Sequence, residues 1–280
     1  MRSRLLIGAA VVAVGVIAAA PAASGDGGPG PGFAQGWDGI QSGDVRYVAV
    51  PAGRWTAVEV IRRDGGRVVR FMTMKGSWGI PLVAFDGTAG GLLRDGHTLL
   101  LAEVKFGPTR PNYTSFALVD MKKMRVVRKL HIRGDHSFDA FSPHARYMYL
   151  VEYVSAKDST RYRVRAYDLR AGRLLPDPII DKREWETTMQ GSPISRAAPY
   201  GGWVYTLYGG GDHAFIHALD TRHVDAVCID LPWKEQPRRL FEFRLRSDGE
   251  GHLVVRGPRG RMLAVVDRDG LRLLSSVRNP

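Results

Sequence analysis

The sequence predicts an all-β protein built from five repeats of four strands, and three observations support this prediction. Two kinds of short sequence window each recur five times, at spacings of 47 to 58 residues along the chain. The segments between the turns are rich in β-branched and aromatic residues, which favour strands. Beyond the N-terminal segment, no stretch of 12 or more residues shows the 3.6-residue period of an amphipathic helix.

The N-terminus has the layout of a secretory signal peptide. Arg2 and Arg4 precede an apolar run of 16 residues from Leu5 to Ala20, and small residues then suit cleavage after Ala22 or Ser24. The run is shorter than the ~20 residues of a membrane span. We therefore assign residues 1–23 to a signal peptide and predict a secreted or extracytoplasmic protein, with retention as an N-terminal anchor as the alternative. No membrane span is expected after cleavage.

The rest of the chain divides into a linker and one domain. Residues 24–35 are rich in glycine and proline, which predicts a linker, and residues 36–280 form the predicted β domain. Cys228 is the single cysteine, so no internal disulfide forms, and we expect it to be a small buried apolar residue. The formal charge of +12 becomes +10 without Arg2 and Arg4, which favours anionic partners. Nucleic acid is not expected, because the protein is predicted to be exported and carries no recognition module.

The first kind of window crosses a turn between two strands. It occurs as IRRDGGRVV from Ile61, VDMKKMRVV from Val119, YDLRAGRLL from Tyr167, LDTRHVDAV from Leu219 and VDRDGLRLL from Val266. Four of the five have aspartate in the second place. An aspartate there accepts hydrogen bonds from backbone N–H groups further along, which stabilises the turn. Arg62 takes this place in the first window.

The second kind of window precedes the first in every repeat. It occurs as IQSGDVRYVAV from Ile40, LLRDGHTLLLAE from Leu92, FSPHARYMYLVE from Phe141, AAPYGGWVYTLY from Ala197 and LRSDGEGHLVV from Leu245. Together the two series describe a unit of four strands joined by turns, which is the blade of a β-propeller. The sequence therefore predicts one propeller of five four-stranded blades. A β-sandwich and a six-bladed ring with one degenerate blade are the alternatives.

Several windows also resemble the repeats of the YVTN and WD40-like propellers. FSPHARYMYLVE and LLRDGHTLLLAE are similar to the first half of that repeat, whereas YDLRAGRLL and VDRDGLRLL are similar to its second half. The tryptophan–aspartate pair of true WD40 blades is missing, and so is the second-half glycine in VDMKKMRVV and LDTRHVDAV. The resemblance implies a bacterial propeller whose motifs are structural and say little about function.

The resemblance also implies which loops would bind a partner. Turns within the first and last strand pairs of each blade lie on one face of such a propeller, and the irregular middle loops and blade links lie on the other, which we call the loop face. Loops on a rigid scaffold carry binding residues, and aromatic and arginine side chains anchor interfaces. The alternative for each tryptophan is that it covers the end of its blade. The predicted binding residues are Trp78, Arg110, Tyr113, Arg133, His136, Arg183, Trp185, His213 and Trp233.

No familiar catalytic or metal-binding pattern occurs in the sequence. His213 and His217 lie four residues apart on a predicted strand, which separates them by about 13 Å, so one ion cannot join them directly. Glu103 and Glu152 occupy equivalent places in consecutive blades, and we considered that they face one another as a carboxylate pair. Because such acids are more often solvated or paired with arginine, we predict no catalytic residue, cofactor or metal site.

The sequence thus predicts an exported, non-enzymatic propeller that binds a protein or an anionic component of the cell envelope through its loop face. The first alternative is a propeller hydrolase similar to lactonases, with its site in the central funnel. The second is a sensor of small ligands at the cell surface. Convergence of several histidine or acidic side chains at the channel mouth distinguishes the enzyme from both binding hypotheses.

Overall fold

The computed structural model describes residues 30–35, 38–105, 112–155, 157–158, 160–183, 187–211, 213–233, 239–277 and 280. In this part of the chain, five antiparallel sheets follow one another, each made of four strands that are consecutive in sequence, with a short extra strand on the third sheet. This arrangement confirms the predicted five-bladed β-propeller rather than a sandwich or a six-bladed ring. No helix among the described residues is long and apolar enough to cross a membrane.

The first three blades cover the N-terminal part of the ring. Blade 1 consists of β1 (Ile40–Ser42), β2 (Val45–Ala52), β3 (Trp55–Arg62) and β4 (Val68–Lys75). Blade 2 consists of β5 (Trp78–Gly79), β6 (Thr98–Glu103), β7 (Tyr113–Asp120) and β8 (Arg125–Arg133). Blade 3 consists of β9 (His136–Phe141), β10 (Tyr147–Tyr153), β11 (Arg161–Asp168) and β12 (Arg173–Leu174), with β13 (Met189–Gln190) also paired to β11.

The last two blades repeat the same order. Blade 4 consists of β14 (Ser192–Arg196), β15 (Trp203–Gly209), β16 (Phe215–Asp220) and β17 (Asp225–Asp230). Blade 5 consists of β18 (Arg244–Ser247), β19 (His252–Arg256), β20 (Met262–Asp267) and β21 (Arg272–Ser276). Short 3₁₀ turns at Leu240–Glu242 and Pro258–Gly260 lie before β18 and before β20.

The repeated aspartate stabilises the turn between the third and fourth strands, as predicted. Asp120 Oδ1 accepts the backbone N–H groups of Lys122 and Lys123 at 2.9 and 3.0 Å. Asp168, Asp220 and Asp267 make the equivalent bonds in the later blades. In blade 1, where Arg62 replaces the aspartate, the guanidinium instead bonds to Asp44 at 2.6 Å.

These turns also need a left-handed residue four places after the aspartate. Gly172 takes this conformation in blade 3 with a φ of 71°. Met124 and Val224 take it in blades 2 and 4 with φ values of 49° and 58°. A side chain at positive φ costs on the order of 1 kcal/mol, most for a β-branched residue. In blade 5 the glycine lies one place earlier, and Leu271 takes the left-handed conformation with a φ of 48°. Three of the four aspartate turns therefore place a side chain at positive φ and carry local strain.

Four hydrophobic clusters join successive blades face to face. Each consists of side chains that alternate along the strands toward one neighbour, as expected for the two-residue period of a strand. Representative members are Val60 and Leu99 between blades 1 and 2, Phe116 and Leu150 between blades 2 and 3, Tyr149 and Leu219 between blades 3 and 4, and Ile216 and Val255 between blades 4 and 5. No comparable cluster of described residues joins blade 5 to blade 1.

The end of the predicted linker is part of the folded structure. Ala34 donates its backbone N–H to Ile80 at 2.8 Å, and Leu82 donates to Gly32 at 2.9 Å. Phe33 pairs with Pro81 between these two bonds. The described chain therefore pairs with the inner part of blade 2 before it enters β1.

Candidate functional site

A hairpin from blade 2 extends to blade 4, its second neighbour in the ring. It spans residues 80–90, and its two arms pair through hydrogen bonds from Val83 to Thr88 and from Gly90 to Pro81. The tip then reaches blade 4, where Phe85 and Asp86 donate their backbone N–H groups to Pro193 and Ile194 at 2.8 and 3.0 Å. Backbone pairing of this kind fixes the hairpin as an added segment along the inner strand of blade 4.

Asp86 anchors the tip of this hairpin. Its carboxylate accepts hydrogen bonds from Thr88 Oγ1 and from Ser195 Oγ, both at 2.6 Å. Ser195 Oγ in turn accepts the backbone N–H of Leu245 at 2.9 Å. Burial raises the pKa of Asp86, but these hydrogen bonds outweigh burial and leave the pKa below its usual value. The carboxylate thus connects the hairpin to blade 4, and through Ser195 to blade 5.

A cavity of about 460 Å³ lies beside the hairpin, between the inner strands of blades 3 and 4. This volume is within the range of small-ligand sites. Its wall is mostly apolar or backbone, including Val83, Phe138 and Ala197, and Ser142 and Pro143 lie at the turn after β9. The cavity therefore lies toward the face of repeated turns, on the opposite side of the propeller from the predicted loop face.

A buried ion pair forms the polar part of the cavity wall. Arg196 on β14 binds the Asp139 carboxylate on β9 through Nη2, and its Nη1 donates to the Asp139 carbonyl oxygen at 2.6 Å. Its Nε donates to Thr206 Oγ1 at 3.0 Å. Both charged side chains are buried, so each compensates the other's desolvation. Because the guanidinium occupies the carboxylate, Asp139 is not arranged as a free general base.

His217 lies behind this pair, in the middle of β16. The ring is buried, and its Nε2 has no hydrogen-bond partner among the described residues. Burial lowers the pKa of His217 to about 4, although Asp139 opposes the shift. The imidazole is therefore neutral at physiological pH and packs edge-on against Tyr208.

Trp78 and Trp233, two of the three predicted tryptophans, are buried and unavailable to a partner. Trp78 is 4% exposed, and its Nε1 donates to the Lys75 carbonyl at 2.9 Å. Trp233 is 1% exposed, donates to the Val277 carbonyl at 3.0 Å and packs on Phe243. For both tryptophans the alternative is therefore correct, because each ring covers the end of a blade. Sequence alone did not separate the two, since both follow strands at the loop face.

Four other predicted residues are exposed, three of them on the loop face and Arg183 at the outer edge of blade 4. Tyr113 stacks on His131 at the start of β7, and Arg133 pairs with Tyr113 across the sheet. His213 Nε2 lies 2.8 Å from an Asp230 carboxylate oxygen. Arg183 bonds to Asp181 and to the Cys228 carbonyl in the link between blades 3 and 4. The structure therefore brings Tyr113 and Arg133 together and leaves Arg183 and His213 in separate local pairs. Arg110 and Trp185 lie outside the described residues.

His136 is buried rather than exposed. It begins β9, is 5% exposed, and lies across from Glu152 in the sheet. Neither ring nitrogen has a hydrogen-bond partner among the residues that the structure describes. Burial lowers the pKa of His136, and Glu152 opposes that shift. The side chain belongs to the interface between blades 2 and 3, so it is not a surface contact.

Glu103 and Glu152 do not face one another. Glu103 alternates with Leu99 and Leu101, which pack toward blade 1, whereas Glu152 alternates with Met148 and Leu150, which pack toward blade 2. Glu152 bonds instead to Arg163 at 2.7 Å and Arg165 at 3.0 Å. The paired-carboxylate hypothesis is therefore wrong, because equivalent positions in successive blades point in the same rotational direction.

Among the described residues, one group of acidic and histidine side chains has the spacing of metal ligands. Asp248, Glu250 and His252 form it on the first turn of blade 5. Asp248 already accepts the backbone N–H groups of the other two residues, and its second oxygen lies 2.7 Å from His252 Nδ1. These bonds are those of a stable turn, and the group lies away from the central cavity.

No protein-family model matches the sequence, and no curated protein matches it. Solved structures match the fold. A dihydro-heme d1 dehydrogenase, NirN, has a TM-score of 0.50 and 13% identity, over 85% of this chain and 45% of that chain. Hydrazine synthase from Kuenenia stuttgartiensis has a TM-score of 0.52 and 17% identity, over 80% of this chain and 68% of that chain. This chain therefore spans less than half of NirN, and identities this low show the fold alone.

Proposed function

We propose that this chain is an exported binding propeller without a catalytic role, which binds an anionic component of the cell envelope through the loop face of blade 2. The N-terminal segment supports export, and the resemblance to YVTN and WD40-like repeats supports an extracytoplasmic scaffold. The observation that carries the proposal is a basic and aromatic surface at one corner of blade 2. We call this surface the blade 2 corner and define it as Lys105, Tyr113, Lys129, His131 and Arg133.

Strand geometry places these side chains together. Lys129, His131 and Arg133 alternate along β8, so they project from the same side of the sheet. Arg133 pairs with Tyr113 on β7, and His131 stacks on the Tyr113 ring with centroids 5.1 Å apart. Lys129 Nζ lies 5.4 Å from the centre of the buried Trp78 ring, which holds this lysine in place.

The blade 2 corner carries a net positive charge. Lys105, Lys129 and Arg133 contribute three positive charges, and the adjacent Glu103 contributes one negative charge, 3.9 Å from Lys105. The net charge is therefore 3 − 1 = +2 with His131 neutral. Basic side chains interleaved with an exposed ring suit a phosphate-rich or carboxylate-rich polymer, because the charges attract it and the ring gives contact area.

The central channel supports this proposal over the hydrolase alternative. The hairpin at residues 80–90 connects blade 2 to blade 4, and the Asp139 carboxylate on the cavity wall is bound by Arg196. The cavity itself favours one second candidate, the binding of a small ligand, because its volume of about 460 Å³ and apolar wall match such sites.

A charge-reversal experiment tests the proposal. The mature protein is mixed with phosphatidylglycerol vesicles, phosphatidylcholine vesicles and soluble polyphosphate at roughly 0.15 M salt, where weak long-range attraction is screened. We expect K129E/R133E to weaken binding to the anionic probes by about tenfold or more. The matched control R256E/R272E changes the net charge equally on blade 5 and is expected to bind like the wild type.

Equal losses in both double variants would show that binding depends only on total charge and would contradict a specific corner. Comparison of vesicles with polyphosphate shows whether the partner is a membrane surface or a polymer. Export is tested separately, by fractionating cells that make the full chain and sequencing the N-terminus of the recovered protein. A full-length protein in the cytoplasm would contradict export without bearing on the corner.

A further inference from the structure

The outer edge of blade 1 differs from the outer edges of the other blades. Strand β4 is eight residues long, pairs with β3 on one side, and pairs with no described strand on the other. Its exposed apolar side chains include Phe71 at 68%, Val68 at 39% and Val69 at 37%. Long, apolar edge strands present free backbone donors and acceptors to other chains, so proteins usually cover, shorten or charge them.

The other four outer edges are protected in one of these ways. In blade 3 the outer strand is broken into short pieces, because β12, Ile179 and β13 pair in turn with β11. The link after blade 3 covers the outer edge of blade 4, where Asp181 pairs with Ala226 on β17. Strand β8 carries Arg125, Lys129, His131 and Arg133. Strand β21 has five residues, and its pairing with β20 contains an irregularity. Among the described outer strands, β4 exposes the most apolar side chains, and it carries fewer charged residues than the longer β8.

The exposed apolar side chains of blade 1 lie on the side turned away from blade 2. Phe71 pairs with Glu59, which pairs with Val48, so these three side chains form one row across the sheet. Trp55, which is 52% exposed, and Lys75 form a second row on the same side. Val58 and Val60 point to the opposite side of the sheet and pack against blade 2. The apolar surface is therefore continuous with the free edge of β4.

The charge around this edge indicates the kind of partner. Residues 62–75 contain five basic residues and one acid, a net charge of 5 − 1 = +4. A second copy of this chain would bring two such edges together, and like charges directly opposite across a sheet are destabilising. An extended segment with alternating acidic and apolar side chains matches both the charge and the two-residue period of β4.

We propose that β4 is a docking edge, to which an extended acidic segment of a partner protein adds as a fifth strand of blade 1. Backbone hydrogen bonds to the free edge supply affinity, and the side chains alternate between two environments. Apolar residues of the segment pack beside Phe71, on the side turned away from blade 2, and acidic residues lie on the opposite side, near the exposed Arg70. This surface is separate from the blade 2 corner and requires a protein segment rather than a polymer.

Synthetic peptides test the docking edge directly. The first is an eight-residue peptide of alternating valine and glutamate, matched to the length of β4. The second has equal charge but proline at alternate positions, which prevents strand pairing. The third replaces glutamate with lysine. We expect the first peptide alone to bind the mature protein, to slow amide exchange in residues 68–75, and to lose about tenfold or more in affinity with R70E/F71K.

V127K is the matched control, because Val127 is an exposed apolar residue on β8, the outer strand of blade 2. It is expected to leave binding unchanged. Equal binding of the valine and proline peptides would contradict strand addition, because charge alone would then explain it. Concentration-dependent dimers of the wild type that disappear with F71K would also overturn the proposal, since the occupant would then be a second copy of the chain.

Discussion

Two surfaces of the molecule have similar apolar strands but are packed differently. One is the interface between blades 2 and 3, and the other is the side of blade 1 that faces away from blade 2. At the first, Phe116 and Leu150 are fully buried in one cluster. At the second, Val48 on β2 and Ile61 on β3 are buried, whereas Phe71 and Val68 on the outer strand β4 are exposed. The strands of blade 1 are as apolar as those of blades 2 and 3. The outer strand of blade 1 is therefore exposed on this side because no described part of another blade packs against it.

Ring closure explains the difference. Each of the five sheets is built from consecutive strands, so no strand is shared between the first and last blades. On the outer strands of blade 5, the side chains of Met262 and Leu274 are also exposed to solvent, each at 49%. A propeller closed in this way depends on side-chain packing alone where its ends meet. Surface that packing leaves uncovered there is available for other proteins.

The largest expected effect comes from truncating one phenylalanine on each side of this comparison. Phe116→Ala removes a fully buried ring, and we expect it to lower the free energy of unfolding by about 3–5 kcal/mol. Phe71→Ala removes an exposed ring and should change it by less than about 0.5 kcal/mol. Urea unfolding of the mature protein measures both. Equal losses would mean that the outer strand of blade 1 is packed in solution.

The buried ion pair offers a polar version of the same comparison. Arg196→Met leaves the Asp139 carboxylate buried without its partner, which should cost about 3–4 kcal/mol. The double variant D139L/R196M removes both charges and should recover more than half of that loss. Urea unfolding of both variants checks this, and a double variant less stable than R196M would show that the pair does not act as a unit.

A smaller loss of stability is expected from substituting Asp181, in the link between blades 3 and 4 that covers the edge of β17. Burial raises the pKa of Asp181, but hydrogen bonds from Arg183 and from the Cys228 N–H outweigh it and lower the pKa to about 2. This stabilisation is present above the unfolded pKa of about 4 and is lost as pH falls toward 2. Asp181→Asn should cost about 1–3 kcal/mol at neutral pH and flatten stability below pH 4.

The exposed Asp177 lies in the same link and provides the control for Asp181. D177N should leave both the stability at neutral pH and its acid dependence unchanged. Thermal unfolding between pH 2 and pH 7 measures the two variants side by side, over the range in which carboxylates titrate. An identical profile for D181N and the wild type would show that the link does not hold β17.

The smallest effect concerns His217, between blades 3 and 4. Its pKa of about 4 in the folded protein lies below the value near 6.5 of an unfolded histidine. The unfolded chain therefore binds more protons between these values, and stability falls as pH drops from about 6.5 to 4. His217→Leu should reduce that slope and change stability at pH 7 by less than about 1 kcal/mol. An unchanged slope would place the acid sensitivity elsewhere.

The repeats made the fold predictable, because strand periodicity and turn chemistry are local properties. The aspartates at positions 120, 168, 220 and 267 act in their turns as predicted. The binding residues were harder to predict than the fold, because the burial of a residue depends on which blade packs against it. Trp78 and Trp233 are buried, and Glu152 is paired with Arg163 on the next strand, although their residue types alone fit an exposed binding surface equally well.

The hairpin at residues 80–90 was missed for a related reason. Its one local signal is the Asp86–Gly87 turn between short apolar arms, which also fits an ordinary blade loop. Its docking onto Pro193 and Ile194 joins residues more than a hundred positions apart. Gly90 shows how closely the arms pack, since a Cβ there would lie 2.5 Å from Val83 Cγ1.

Native-state hydrogen exchange on the unliganded mature protein tests the central comparison most directly. Exchange reports local opening, which is easiest where few buried contacts hold a strand. The account predicts that the amides of β4 exchange faster than those of β17, which the Asp181 link covers, and faster than those of β7 in the interior of blade 2. Protection of β4 equal to that of β17 would contradict it, because the outer edge of blade 1 would then be as firmly held as the covered edge of blade 4.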